Sequence, residues 1–282
     1  MSPSVTAWQA RGQRRRSLHL LVGGILVGLL VGAAVLAPIL APVAPDVVRP
    51  TMRLQPPGAG GLFGSDPFGR DLFSQVLYGA RLALGMSVAS VLLAAIPGTA
   101  LGLAAGYHKG QLEQVMSRVM DGWLAFPGML LAIVLVARLG PSLITVVVAV
   151  GIVGIPSYYR LVRNGTLGLR NEAYVEAALV IGATSGRILL RHILPNLSSS
   201  IIVLTTLRLG SMLLAAGGLS FIGLGAQPPQ PEWGALLAMG KNYMGTAWWL
   251  AVFPGLAITA SVMGFNLLGD GLRDMLARET AV

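Results

Sequence analysis

The 282-residue chain has no cysteine, only three histidines, Lys109 and Lys241 as its only lysines, and charged residues at just 11% of the sequence. Without cysteine there are no disulfides, thiolate metal sites or cysteine nucleophiles. His19, His108 and His192 lie in separate segments, so no histidine cluster offers itself to a metal, and a metal cargo would travel only as a chelate. A phosphate-cradling P-loop needs a Gly-rich turn ending in Lys and Ser or Thr. Lys109 is followed by Gly110 and Lys241 by Asn242, so neither completes one. The chain therefore holds no ATPase motif of its own and is not expected to be an enzyme. No apolar stretch offers a histidine partner to Ser or Asp, which speaks against an intramembrane hydrolase. Paired intramembrane acids and inverted repeats, the usual marks of an ion-driven secondary transporter, are not found.

Apolar residues are abundant. Hydrophobic residues make up 54% of the chain and the mean hydropathy is +0.72, beyond what a soluble domain carries. The bilayer is thus the expected solvent. A span needs about 20 apolar residues to cross roughly 30 Å of hydrocarbon. The net charge of +9 is scattered between apolar runs instead of forming one basic face, so nucleic acid is not an expected partner.

An all-α membrane protein of about six spans is the resulting fold class. Residues 1–18 form an N-terminal tail whose RGQRRR resembles the start of a signal peptide, but the following apolar run is too long for one. The first span covers 19–42, and its Gly24, Gly28 and Gly32 form a smooth stripe suited to close helix approach, within this chain or against another. Pro38, Pro42, Pro45 and Pro50 end it, and a polar segment, 43–81, follows. The core, 82–270, has spans near Leu82–Tyr107, Val115–Ala137, Leu143–Leu161, Pro195–Leu224 and Trp248–Leu268, and 271–282 is a tail. Pro127 should kink the third span, and Arg118 should pair with Asp121 one turn away.

Orientation follows from the basic residues, which stay on the cytoplasmic side. The side of the N-terminus holds Arg11, Arg14, Arg15, Arg16, Lys109, Arg118, Arg160, Arg163, Arg170, Arg187, Arg191, Arg273 and Arg278. The opposite side holds fewer: Arg49, Arg53, Arg70, Arg81, Arg138 and Lys241. Both termini are therefore expected in the cytoplasm. Trp248, Trp249, Tyr243, Trp123 and Tyr159 fit an aromatic belt, and Trp233 is expected on the outer surface.

The long cytoplasmic stretch 170–192 is the most informative. Asn171 can cap a helix that runs through Glu176, Ala177, Ala178 and Leu179 until Gly182 stops it. Thr184 or Ser185 can cap a second helix carrying Arg187 and Arg191, disturbed at Leu194-Pro195 because proline lacks an N–H. Ala173, Ala177 and Ala178 give a small-residue face for a close partner. A helix resting on lipid headgroups would explain the same pattern.

These residues, Glu176-Ala177-Ala178, Gly182 and Leu194-Pro195, resemble the cytoplasmic coupling motif of ABC importer permeases of the dipeptide, oligopeptide and nickel branch. GSDPFGRDLFSQVLYGARLAL (64–84), DGWLAFPGMLLAI (121–133), PSYYRLVRN (156–164), LSFIGLGAQPPQPEWG (219–234) and FNLLGDGLRD (265–274) are similar to the same branch. The resemblance implies the type I importer permease fold, half of a transmembrane path for peptides, with a nickel or other metal chelate as the alternative cargo. It also implies a second permease subunit, two cytoplasmic ATPases that bind ATP and Mg, and an extracytoplasmic binding protein, in a bacterial inner membrane. Ala216 stands where this branch is expected to carry an acid, which puts an acidic contact to a peptide amino group in doubt.

One charge remains inside a span. Arg208 lies about 13 residues beyond Pro195, roughly 20 Å along the helix at 1.5 Å per residue. It is a candidate to line the path and meet a substrate carboxylate or a partner acid; reaching the outer interface along its own stem is the competing reading.

Overall fold

The structure, a computed structural model, describes the backbone of residues 3–279 and the side chains of residues 18–276. The arginines of the N-terminal tail and the last C-terminal residues fall outside the described side chains. Helices α1 (Pro3–Leu40), α2 (Leu72–His108), α5 (Leu143–Leu169), α8 (Leu194–Phe221) and α10 (Trp249–Glu279) are the long elements. Between them lie α3 (Gly110–Leu124), α4 (Gly128–Leu139), α6 (Ala173–Val180), α7 (Ser185–Ile188) and α9 (Trp233–Lys241). Five stretches are long and apolar enough to cross a bilayer, and α3 with α4 supplies a sixth if that bent pair is one span. The fold is all-helical and multi-pass, as expected.

The bent pair corrects the expectation of a kinked third span. At Ala125–Pro127 the direction changes by 87°, far more than a proline kink in a continuous helix. Pro127 is extended (ψ 120) and starts α4 instead of bending it. The first half, α3, lies across α5 and is held by polar groups: Glu113 pairs with Arg163, the Ser117 and Tyr159 hydroxyls are 2.9 Å apart, and Arg160 Nη2 donates to Asp121 Oδ1 at 2.6 Å. Asp121 thus pairs across helices with Arg160, where the sequence pointed to Arg118. Tyr159 is buried in this contact instead of lying in an aromatic belt.

The bundle closes through glycine. A Cβ at Gly98 would lie 2.8 Å from the carbonyl oxygen of Ile155, one at Gly102 2.8 Å from that of Tyr159, and one at Gly106 2.8 Å from that of Arg163. These three, four residues apart on α2, let its backbone lie against α5, the association mode open to helices in lipid. The stripe picked out on the first span behaves differently: Gly24, Gly28 and Gly32 face open space. It is Gly23 that meets the α10 backbone at Leu267 and Leu268. The main apolar cluster, with Ala94, Val136, Ala149, Tyr158 and Leu219 at its centre, joins α2, α4, α5 and α8.

The segment between α1 and α2 is a rigid knot. Asp66 is fully buried; it accepts the backbone N–H groups of Phe68 and Arg70, Gln75 Nε2 at 3.2 Å, and Arg70 Nε at 2.5 Å. Asp71 accepts Ser74 N–H at 2.7 Å and so caps α2, which begins at Leu72 and not near Leu82. Phe63 stacks on Phe253 with centroids 3.9 Å apart, and Trp249 Nε1 donates to the Ser65 carbonyl. Trp233 is 2% exposed, with Nε1 on the Val76 carbonyl at 2.9 Å, so it anchors α9 to α2 and offers no outer surface.

Candidate functional site

Helix α5 ends at Leu169, and the chain turns into the elbow. Arg170 Nη1 donates to the Tyr107 carbonyl at 2.5 Å, and its guanidinium stands 5.6 Å over the Tyr107 ring. This fastens the entry of the elbow to the end of α2. The cap of α6 is Glu172 through its backbone, with no side-chain bond, where Asn171 had been expected.

Helix α6 ends in a Schellman turn. Ala183 N–H donates to the Ala178 carbonyl and Gly182 N–H to that of Leu179, both at 3.0 Å, with Gly182 at φ +83. Only glycine adopts that backbone without a Cβ conflict, so the stop expected at Gly182 has a definite geometric cause. Thr184 precedes α7 without a side-chain cap. Leu189–Ile193 then form one π-helical turn, after which Pro195 occupies the first turn of α8. The wide turn absorbs the N–H that Pro195 lacks, so α7, the π turn and α8 continue as one long span instead of breaking.

The elbow has two faces. Val175, Ala178, Ile188, Ile193 and Leu197 are buried against Leu103, Tyr107 and Val162 of α2 and α5. Ala178 therefore packs inward, whereas Ala173, Glu176, Ala177, Gly182, Arg187 and Arg191 are exposed; Leu194 is half-buried and Pro195 exposed. Of the small-residue face, Ala173 and Ala177 remain available to a partner. Around them lies an apolar surface that the motif alone did not reveal: Val180 is 87% exposed and Ile181 84%, beside Leu179 and Leu190. A hollow of about 550 Å³ opens between Tyr174, Ala177, Ile181, Arg187, Arg191 and His192.

Arg208 stands apart from the elbow, near the middle of α8. Its Nη2 donates to Ser157 Oγ at 2.6 Å, bridging to the middle of α5. Beneath this bridge Tyr158 donates its hydroxyl proton to Thr205 Oγ1 at 3.2 Å. Nothing in the sequence paired Ser157 with Arg208, because 51 residues separate them.

An exposed apolar tip on a packed elbow, mounted on a multi-pass bundle, has relatives. Residues 98–282 match the model of the binding-protein-dependent transport system inner membrane component family. The chain belongs to that family. It is 44% identical over 274 residues to a dipeptide transport system permease protein of Alkalihalophilus pseudofirmus, covering 97% of this chain and 90% of the relative. It is 49% identical over 220 residues to a glutathione transport system permease protein of Pectobacterium atrosepticum, covering 78% and 73%. A glutathione transport system permease protein of Escherichia coli is also 49% identical, over 214 residues, covering 76% and 71%. This permease is thus a multi-pass membrane component of an ABC importer of the peptide type.

Proposed function

We propose that this permease forms half of a transmembrane path for short peptides and draws its power from cytoplasmic ATPases that dock on the 170–192 elbow. In this reading a second, homologous permease faces it, and two ATPase subunits bind ATP and Mg. A binding protein delivers cargo on the outer side, and both termini lie in the cytoplasm of a bacterial inner membrane. The supporting observation is the exposed tip Leu179-Val180-Ile181 at the Gly182 turn, rigidly backed by Val175 and Ala178. Such an apolar surface on a charged, cytosolic elbow is unfavourable in water and fits a groove on another protein.

Closing of the ATPase dimer on ATP moves the two elbows together and opens the cavity outward; hydrolysis reverses the motion. Arg170 on Tyr107 and Arg163 on Glu113 carry the displacement from the elbow to α2 and α3. The names of the dipeptide and glutathione relatives favour peptide over a nickel chelate as cargo.

The test is to purify the intact assembly with its binding protein, identify co-purifying small molecules by mass spectrometry, and cross-link from position 180. The expected result is a peptide and a cross-link to an ATPase subunit. A cross-link to lipid alone, or uptake that persists with an ATPase-dead partner, would overturn the reading.

A further inference from the structure

Helices α2, α4, α5 and α8, which make the main apolar cluster, carry no acidic residue at all. Arg208 lies among them roughly 20 Å from either end of α8 at 1.5 Å per residue. Among the described residues its guanidinium meets no carboxylate and makes one hydrogen bond, to Ser157 Oγ, while its carbonyl accepts from Ser211 Oγ at 3.1 Å. The remaining N–H donors of the guanidinium have no acceptor among the described residues. Its surroundings are open: Arg208 is only half-buried, Ser211 one turn further along α8 is exposed, and so is Leu214. An arginine at this depth facing lipid is strongly disfavoured, so this face meets water or protein.

A short peptide at neutral pH carries an ammonium and a carboxylate. Arg160 and Arg163, further along α5, are already paired with Asp121 and Glu113, so at the level of Ser157 the α5–α8 surface offers one uncompensated cation and can recognise only the carboxylate end. We propose that Arg208, oriented by Ser157, is the residue that receives the free C-terminal carboxylate of the peptide halfway along its passage. This rests on the reading of the chain as half of a peptide path. A guanidinium presents parallel N–H donors that match the two carboxylate oxygens, and in a low-dielectric setting such a charge-assisted pair is strong. Ser157 takes one donor and fixes the plane of the fork, leaving the others toward the open side.

The absence of native cysteine makes a direct test available. Ser211→Cys is placed in the complete importer in proteoliposomes and treated with an anionic or a cationic methanethiosulfonate. Modification is read by mass spectrometry on the peptide containing residue 211, so cysteines of the other subunits do not interfere. After correction for each reagent's rate with a free thiol, the anionic reagent should react severalfold faster, and Arg208→Gln should abolish that preference. A pool of synthetic di- and tripeptides with free C-termini should slow the reaction, while the same pool as C-terminal amides should not. In transport, Arg208→Gln should lower peptide uptake about tenfold to a hundredfold, as loss of a charge-assisted pair does, and Arg208→Lys should restore part of it. No reaction with either reagent would place this face in lipid. No charge preference would place an acid of the second permease on Arg208, as would failure of the Arg208→Gln subunit to assemble. Equal protection by both pools would remove the carboxylate. Each of these overturns the proposal, whereas wild-type uptake that needs no ATP would instead overturn the importer reading beneath it.

Discussion

The guanidinium of Arg170 grips Tyr107 twice, by a 2.5 Å hydrogen bond to its carbonyl and by stacking over its ring, and so joins the 170–192 elbow to the last turn of α2. A bond from a charged donor contributes roughly 1.5–3 kcal/mol when shielded, and partial exposure brings it toward about 1 kcal/mol. Arg170→Ala should therefore lower peptide uptake per ATP about threefold to tenfold while the assembly remains intact. Tyr107→Leu keeps the carbonyl and should cost less. Parallel uptake and hydrolysis assays on both variants measure this.

Gly182 offers a sharper test because its φ of +83 excludes β-branched side chains. Gly182→Ile should cost about 1–3 kcal/mol locally, distort the tip and uncouple ATP hydrolysis from uptake. Gly182→Asn, which tolerates that backbone, should retain most of the transport. Equal behaviour of the two variants would count against the turn as the coupling element.

The two glycine stripes should part company under mutation. Gly102→Val drives a side chain into the Tyr159 carbonyl and the Val162 Cβ, contacts of 2.8 and 2.9 Å that the α5 backbone cannot relieve. Overpacking of this kind costs about 1–3 kcal/mol or more, so membrane abundance should fall on immunoblots. Gly28→Ala faces open space and should leave abundance unchanged.

Glu232 supplies a pH dependence. Burial pushes its carboxyl above the ordinary value of 4.5, while the N–H groups of Gly234 and Ala235 and the Ser220 hydroxyl pull it partly back. Because the folded value exceeds the unfolded one, the folded state holds the proton more tightly. The contribution is fully present below about pH 4.5 and is lost as pH rises through the raised folded value. Wild-type protein should thus lose more thermal stability than Glu232→Gln between acidic and mildly alkaline buffer, and identical pH profiles would contradict the assignment.

Much of this architecture was legible in the sequence, because hydropathy locates spans and Gly182 punctuates a helix by a local rule. The start of α2 was hidden: Leu72 to Ala80 look like loop until Asp71 is seen to cap Ser74. The break at Ala125–Pro127 was read as a kink, because proline alone does not say whether the chain bends or turns a corner. Asp121 had two arginines within reach, and only the crossing of α3 over α5 selects Arg160. Trp233 was misplaced for the same reason, since its partner, the Val76 carbonyl, is 157 residues away. At the elbow the motif was legible, but which alanine faces inward was not. Ala178 is turned in by the packing of Val175 and Ile188, a matter of helix rotation and not of composition.

The π turn at Leu189–Ile193 also fixes an angular phase. One surplus residue in that turn advances everything before it by about 100° relative to the rest of α8. Deleting a single residue there would swing Arg187 and the Gly182 tip around the axis of the span and aim the elbow at a different neighbour. The five residues of this wide turn thereby set the compass bearing of the elbow about the span.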